Sequence, residues 1–219
     1  MTQTINQIVT WLPQLLEGAK ITVALTLTSV SAGLILSVLI AYGKICKIKL
    51  INLLCSFYVF FLRGTPLLLQ LYFVYYGLPR IIPAFTIESR FLAAFITFTL
   101  NSSAYLSEVV RAAIISIDAG QIDASQALGL TYRQTFIKVI LPQGLRMLLP
   151  PLGNEFILVL KDASLVSIIA LSDITRVTRN IASSTASGLV YIPAMIIYLI
   201  ITAFFEYSFR RIEKKLISK

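Results

Sequence analysis

Long apolar runs separated by short polar breaks dominate the chain, at 21–43, 50–78, 91–117, 145–170 and 189–209. A hydrocarbon core about 30 Å thick takes roughly 20 helical residues to cross. The pattern therefore predicts about five transmembrane helices. Between the third and fourth runs lies a polar insert, 118–142, whose residues still favour helix. Asp118 is placed to cap a first short helix, Gly129 to end or bend it, and a second helical stretch leads to Pro142. Two short helices joined by a glycine bend make a compact knob suited to a groove on a soluble partner. Ahead of the first run, Ile5, Ile8, Val9, Leu12, Leu15 and Leu16 recur at helical spacing, with Gln3, Asn6, Gln7 and Gln14 away from them. That predicts a short interfacial helix lying on the membrane. The stretch 172–188 is too polar to cross lipid.

Composition agrees: 57% of the 219 residues are hydrophobic and 13% charged, which excludes an ordinary soluble domain. The chain reads as a single all-α polytopic membrane domain, 1–219. Its net charge of +9 does not point to nucleic acid, because the basic residues are dispersed in short loops and the tail instead of forming one face. Lys44, Lys47 and Lys49, then Arg133, Lys138 and Arg146, and the terminal RRIEKKLISK mark one membrane side. By the positive-inside rule that side is cytoplasmic, with the N-terminus outside and the C-terminus inside. Arg176 and Arg179 fall outside in this scheme, with Asp173 as their candidate counter-charge. With no histidine, and with Cys46 and Cys55 as the only cysteines, neither a metal site nor a disulfide scaffold is expected. The N-terminus lacks the basic lead of a signal peptide, so no cleavage is expected.

Inside the apolar runs, a few polar positions carry the chemistry. Arg63, Gly64, Thr65 and Pro66 interrupt the second run, where proline removes a backbone donor and predicts a kink or break. A charge beside such a break needs a partner, and Glu108 or the freed carbonyls are candidates for Arg63. The element reads either as a hinge or gate beside a pathway or as a structural ion pair. Glu108 and Arg111, three apart, are spaced to pair on one helix face. Glu155 and Asp162 are seven apart, within about 20° of one face, while Lys161 points elsewhere. Two such acids favour a water-lined site for a cationic ligand, against a structural role for Glu155 with Asp162 at the membrane boundary. Asn101, Ser102 and Ser103 lie near mid-depth of the third run, where they suit either helix–helix hydrogen bonding or a pathway.

Within the insert, Asp123, Ala124, Ser125, Gly129, Val139, Leu141 and Pro142 hold the spacing of Glu-Ala-Ala, three residues, Gly, nine residues, Ile-x-Leu-Pro. This resembles the cytoplasmic loop of the permease subunits of ATP-binding-cassette importers. FLRGTPLLLQLYFVYYGLP, NSSAYLSEVVRAAIISIDAGQ and LGNEFILVLKDASLVSIIALSDITR extend the resemblance to the polar amino acid permeases of that class. Asp stands for Glu, Ser for the second Ala and Val for Ile, and Asp123 is one methylene shorter than Glu. The resemblance implies that Asp123, Ala124, Ser125, Gly129, Leu141 and Pro142 couple to a pair of ATPase subunits. It also implies that Asn101, Ser102, Glu155 and Asp162 line the substrate path. The acids suit arginine, lysine or histidine, with glutamine the chief alternative. The implied partners are a second permease subunit, identical or homologous, an extracytoplasmic amino-acid-binding protein and the bilayer of a bacterial plasma membrane. No phosphate-binding glycine loop occurs in the sequence, so ATP and magnesium are expected in the partner subunit and the chain itself is not expected to be an enzyme. An ion-gradient transporter or channel would also place acids inside spans, but it gives no reason for the loop spacing.

Overall fold

The computed structural model describes residues 2–217, with side chains from Gln7 to Leu216. The side chains of Gln3, Ile5 and Asn6 from the N-terminal amphipathic pattern, and Ser218 and Lys219 of the basic tail, lie outside the described residues. Ten α-helices carry the fold, with no strand among the described residues. The first, α1 (Thr2–Ile45), runs unbroken through Pro13. The separate interfacial helix expected at its start is therefore the first turns of the span itself. At about 1.5 Å per residue, 44 residues reach about 66 Å, twice the hydrocarbon thickness, so part of α1 stands beyond the lipid.

The second apolar run breaks as proline dictates. Helix α2 (Lys49–Gly64) and the continuation α3 (Leu67–Tyr72), a π-turn at Phe73–Gly77 and α4 (Leu78–Ile81) diverge by 104° across Thr65 and Pro66. Helix α5 (Arg90–Ile115) starts at the Ser89 side-chain cap. The insert forms α6 (Ala119–Ala127) and α7 (Tyr132–Thr135), and a π-turn at Phe136–Ile140 joins α7 directly to α8 (Leu141–Asp162). Both π-turns precede a Leu-Pro pair. Pro79 and Pro142 cannot supply the ordinary α-helical donor, and the preceding Leu78 and Leu141 reach back five residues to Phe73 and Phe136 instead.

The helix expected over 145–170 thus begins thirteen residues earlier and stops at Asp162. A 3₁₀ segment, Ala163–Ile169, follows, closed by Ala170 at φ 58°. Helix α9 (Ile174–Thr185) occupies the polar stretch, and α10 (Tyr191–Ile217) ends the chain. Asp173 does not balance Arg176 and Arg179 as expected. Its fully buried carboxylate caps α9, accepting from the backbone of Thr175 and Arg176 at 2.9 Å each. Among the described residues, Gln7–Ile45 and Gly188–Leu216 are each long and apolar enough to cross a membrane, and the bent α2–α4 pair makes a third candidate.

Close packing holds α1 against α5. Thr22, Thr26, Ser29 and Ser37 on α1, and Ser102, Ser103, Ala104 and Ser107 on α5, are all fully buried. Small side chains let the backbones approach, and hydroxyls such as Thr26 satisfy themselves on the preceding turn. Gly33 sits so close to α5 that an added Cβ would lie 3.3 Å from Thr99, Ser102 and Ser103. Leu25, Phe98, Phe156, Val159 and Val166 fill the centre. A second cluster packs Trp11 and Leu15 of α1 against Ile174, Ile181 and Ala194, so one side of early α1 is covered by α9 and α10, while Val9, Leu12 and Leu16 of the expected apolar face stay exposed.

Candidate functional site: a stapled helix break, a lined cleft and a coupling knob

The knob is built by local chemistry. Asp118 Oδ1 accepts from Gly120 N at 2.7 Å and starts α6. Gly129 ends it at φ 79°, with Leu130 N bonded to Ser125 O and Gly129 N to Gln126 O, a helix stop that needs a left-handed residue. Thr131 and Gln134 then cap α7 reciprocally. Gln143 on α8 donates to Gln121 Oε1 at 2.5 Å, tying the two arms together. Of the residues expected to couple, Asp123, Ala124, Gly129, Leu141 and Pro142 are exposed, whereas Ser125 is buried and bonds Gln121 O. Leu128 and Tyr132, 83% and 74% exposed, flank the bend. Neither belongs to the motif spacing, although apolar side chains beside a helix-stopping glycine are a visible signal in the sequence.

The break at Arg63, Gly64, Thr65 and Pro66 is stapled by side-chain amides. Proline has no N–H, so the carbonyl of Leu62, four residues earlier, loses its helical donor. Gln70 Nε2 on α3 supplies one at 2.8 Å, and Asn101 Nδ2 on α5 a second at 3.2 Å. Gln70 also donates to Thr65 O and Oγ1, and its oxygen accepts from Asn101 Nδ2 at 3.0 Å. Gln70 is 9% exposed and was not singled out in the sequence, where one glutamine in an apolar run carries no spacing signal.

Beside the break opens a cleft of about 540 Å³, within the usual range of small-molecule sites. Arg63, Thr65 and Pro66 line one side, Asn101 and Tyr105 of α5 another, and Glu155, Val159 and Asp162 of α8 the third. The four residues of the break and three of the four expected pathway residues therefore share one cavity. Ser102 is not on its lining; it is fully buried beside Gly33 of α1. Lys161 lines a separate groove against α10. Arg63 lies with its guanidinium carbon 5.1 Å from the centre of the Tyr105 ring, a cation–π contact. It does not pair with Glu108. That carboxylate binds Arg111 at 2.8 Å, as the spacing predicts, and also Lys44 of α1.

A family model described as binding-protein-dependent transport system inner membrane component matches residues 33–218, which contain both the knob and the cleft. The chain belongs to this family. It is the permease subunit of an ATP-binding-cassette importer and a multi-pass protein of the bacterial plasma membrane. The glutamine transport system permease protein GlnP of Escherichia coli (strain K12) is 34% identical over 206 residues, 94% of each chain. The arginine transport system permease protein ArtQ of Bacillus subtilis (strain 168) is 36% identical over 206 residues, 94% of this chain and 93% of that one. A crystal structure of an amino acid ABC transporter with histidines superposes at TM-score 0.86 with 37% identity, covering 95% of this permease and 97% of that chain. An inward-facing methionine transporter, MetNI, shares the fold at TM-score 0.75 and 20% identity.

Proposed function

We propose that this permease carries amino acids inward through the cleft between α3, α5 and α8, basic amino acids foremost. The carrying observation is that Glu155 and Asp162 line the same cavity, in which Arg63 is the single cation among the described residues. Acids inside a membrane domain are costly unless they meet water or a cation, so a guanidinium or ammonium side chain is a favourable occupant. Arg63 offers the complementary charge for the substrate's α-carboxylate. Five crossings put the N-terminus outside and the knob inside, where a pair of ATPase subunits engages Asp123, Leu128, Gly129 and Tyr132. Their closure on ATP moves the knob and the directly continuous α8, which carries both acids. A second permease subunit completes the pathway, and an external binding protein supplies the amino acid.

The test uses the complete transporter, with its ATPase subunits and binding protein, in proteoliposomes. Arginine uptake should require internal-face ATP, and Glu155→Gln with Asp162→Asn should lower arginine uptake at least tenfold more than glutamine uptake, since truncating a desolvated charge pair costs about 2–5 kcal/mol. An unchanged ratio overturns the basic-substrate reading in favour of glutamine, the substrate named for the Escherichia coli relative. Uptake that persists without the ATPase overturns the import mechanism in favour of ion-gradient transport.

A further inference from the structure

The network at the helix break fixes more than the backbone. Leu62 O and Thr65 O are carbonyl acceptors, so the Gln70 side chain must turn its NH₂ toward them. Its Oε1 then faces Asn101, which in turn must present its own NH₂ to Gln70 and to Leu62 O. Two acceptor-only carbonyls thus set the orientation of two amides in series. The remaining atom, Asn101 Oδ1, has no hydrogen-bond partner among the described residues and is not shut away from solvent, while Asn101 lines the cleft.

We propose that Gln70 is a specificity-determining positioning residue, which holds Asn101 with its oxygen toward the cleft. With Glu155 and Asp162 across from it, a ligand side chain seated between Asn101 and the two acids then meets three acceptor groups, while the donors Arg63, Thr65 and Tyr105 lie elsewhere on the lining. Such a wall selects for side chains that end in donors and carry charge. An amide side chain brings an acceptor oxygen as well as donors, and that oxygen finds no partner on this wall. Gln70 touches no substrate; it acts through Asn101. This inference rests on the cleft being the substrate site.

The experiment measures equilibrium binding of arginine and glutamine to the purified permease–ATPase complex by titration calorimetry, with basal ATP hydrolysis reporting intact assembly. Gln70→Glu cannot donate to Leu62 O but still accepts from Asn101 Nδ2, so it keeps Asn101 oriented, whereas Gln70→Met cannot orient Asn101 at all. Gln70→Met should weaken arginine about tenfold and glutamine by less than threefold, the scale of one hydrogen bond to a charged group, and Gln70→Glu should keep the arginine preference. A residue with only a structural role would weaken both equally or abolish basal hydrolysis, and equal weakening overturns the proposal. Should both variants fail to assemble, Asn101 is changed instead. Asn101→Asp offers an acceptor oxygen in either orientation and should keep the arginine preference, whereas Asn101→Leu should lose it. Equal behaviour of those two also overturns the proposal. If Glu155→Gln with Asp162→Asn leaves the arginine-to-glutamine ratio unchanged, the substrate reading itself falls; if the ratio moves there but not in Gln70→Met, only this inference falls.

Discussion

Lys44, at the C-terminal end of α1, is ion-paired with Glu108 on α5, sixty-four positions away, and the same carboxylate holds Arg111 at 2.8 Å. Lys44 also anchors α2, because its backbone carbonyl accepts from Asn52 Nδ2. One acid therefore joins two cations at the point where three helices meet. Both members of the interhelix pair are about four-fifths buried.

Removing Glu108 should be worse than removing Lys44. Glu108→Gln leaves two cations facing each other, whereas Lys44→Met leaves the Glu108–Arg111 pair intact. Glu108→Gln should cost about 2 kcal/mol, between the values for exposed and fully buried pairs, and Lys44→Met about half that. Thermal unfolding of the detergent-purified complex checks the order.

Gly129 and Gly144 separate conformation from crowding. An added Cβ meets nothing within 4 Å at either, but only Gly129 has positive φ, at 79°. Gly129→Val should strain the stop by about 1–2 kcal/mol and uncouple uptake from ATP hydrolysis while the protein still inserts. Gly129→Asn should retain most uptake, and Gly144→Ala should be neutral or stabilise by about 0.5–1 kcal/mol. Parallel uptake and ATPase assays on the reconstituted transporter distinguish them.

Gly18 is governed by contact instead. A Cβ there would lie 2.9 Å from the backbone of Asp173 and Ile174, whose atoms have no side-chain freedom to yield. Gly18→Ala should destabilise by about 1–3 kcal/mol, and more than Gly33→Ala, where the closest approach is 3.3 Å. Limited proteolysis within α9, compared between the two variants, should show faster cleavage in the first.

Pro142→Ala restores a donor opposite the Lys138 carbonyl and removes the reason for the π-turn. The expected outcome is a regular α-helix from Tyr132 to Asp162, in which the knob is rotated by about 100° relative to α8. Uptake should fall while thermal stability holds or rises. Equal uptake with the same stability would show that the turn has no bearing on coupling.

Much of this was legible in the residues because the rules involved are local. Pro66 announced the break, Asp118 and Gly129 announced the ends of α6, and the seven-residue spacing put Glu155 and Asp162 on one face. Where prediction and structure part, a neighbouring element decided the outcome. The apolar positions of residues 8–16 have the same periodicity whether they all lie on lipid or, as here, Ile8 and Leu15 pack toward α9 and α10 while Val9, Leu12 and Leu16 stay exposed. Asp173 looked like a counter-charge by proximity in sequence, yet two first-turn backbone donors of its own helix claimed it. Ser102 and Asn101 are adjacent, and the 100° step of an α-helix sent one to the α1 interface and the other to the cleft.

By itself, the order of apolar runs, prolines, glycines and charges determined that this is a helical membrane protein with a broken second span and a capped polar knob, because those properties depend on hydration and on backbone donors within a few residues. Only the tertiary structure decided that the break, Asn101 and the two acids surround one cavity, and that Gln70 and Lys44 hold distant helices together. Those partners lie 8 to 64 positions apart along the chain, and no short-range rule links them; packing brings them within hydrogen-bonding reach.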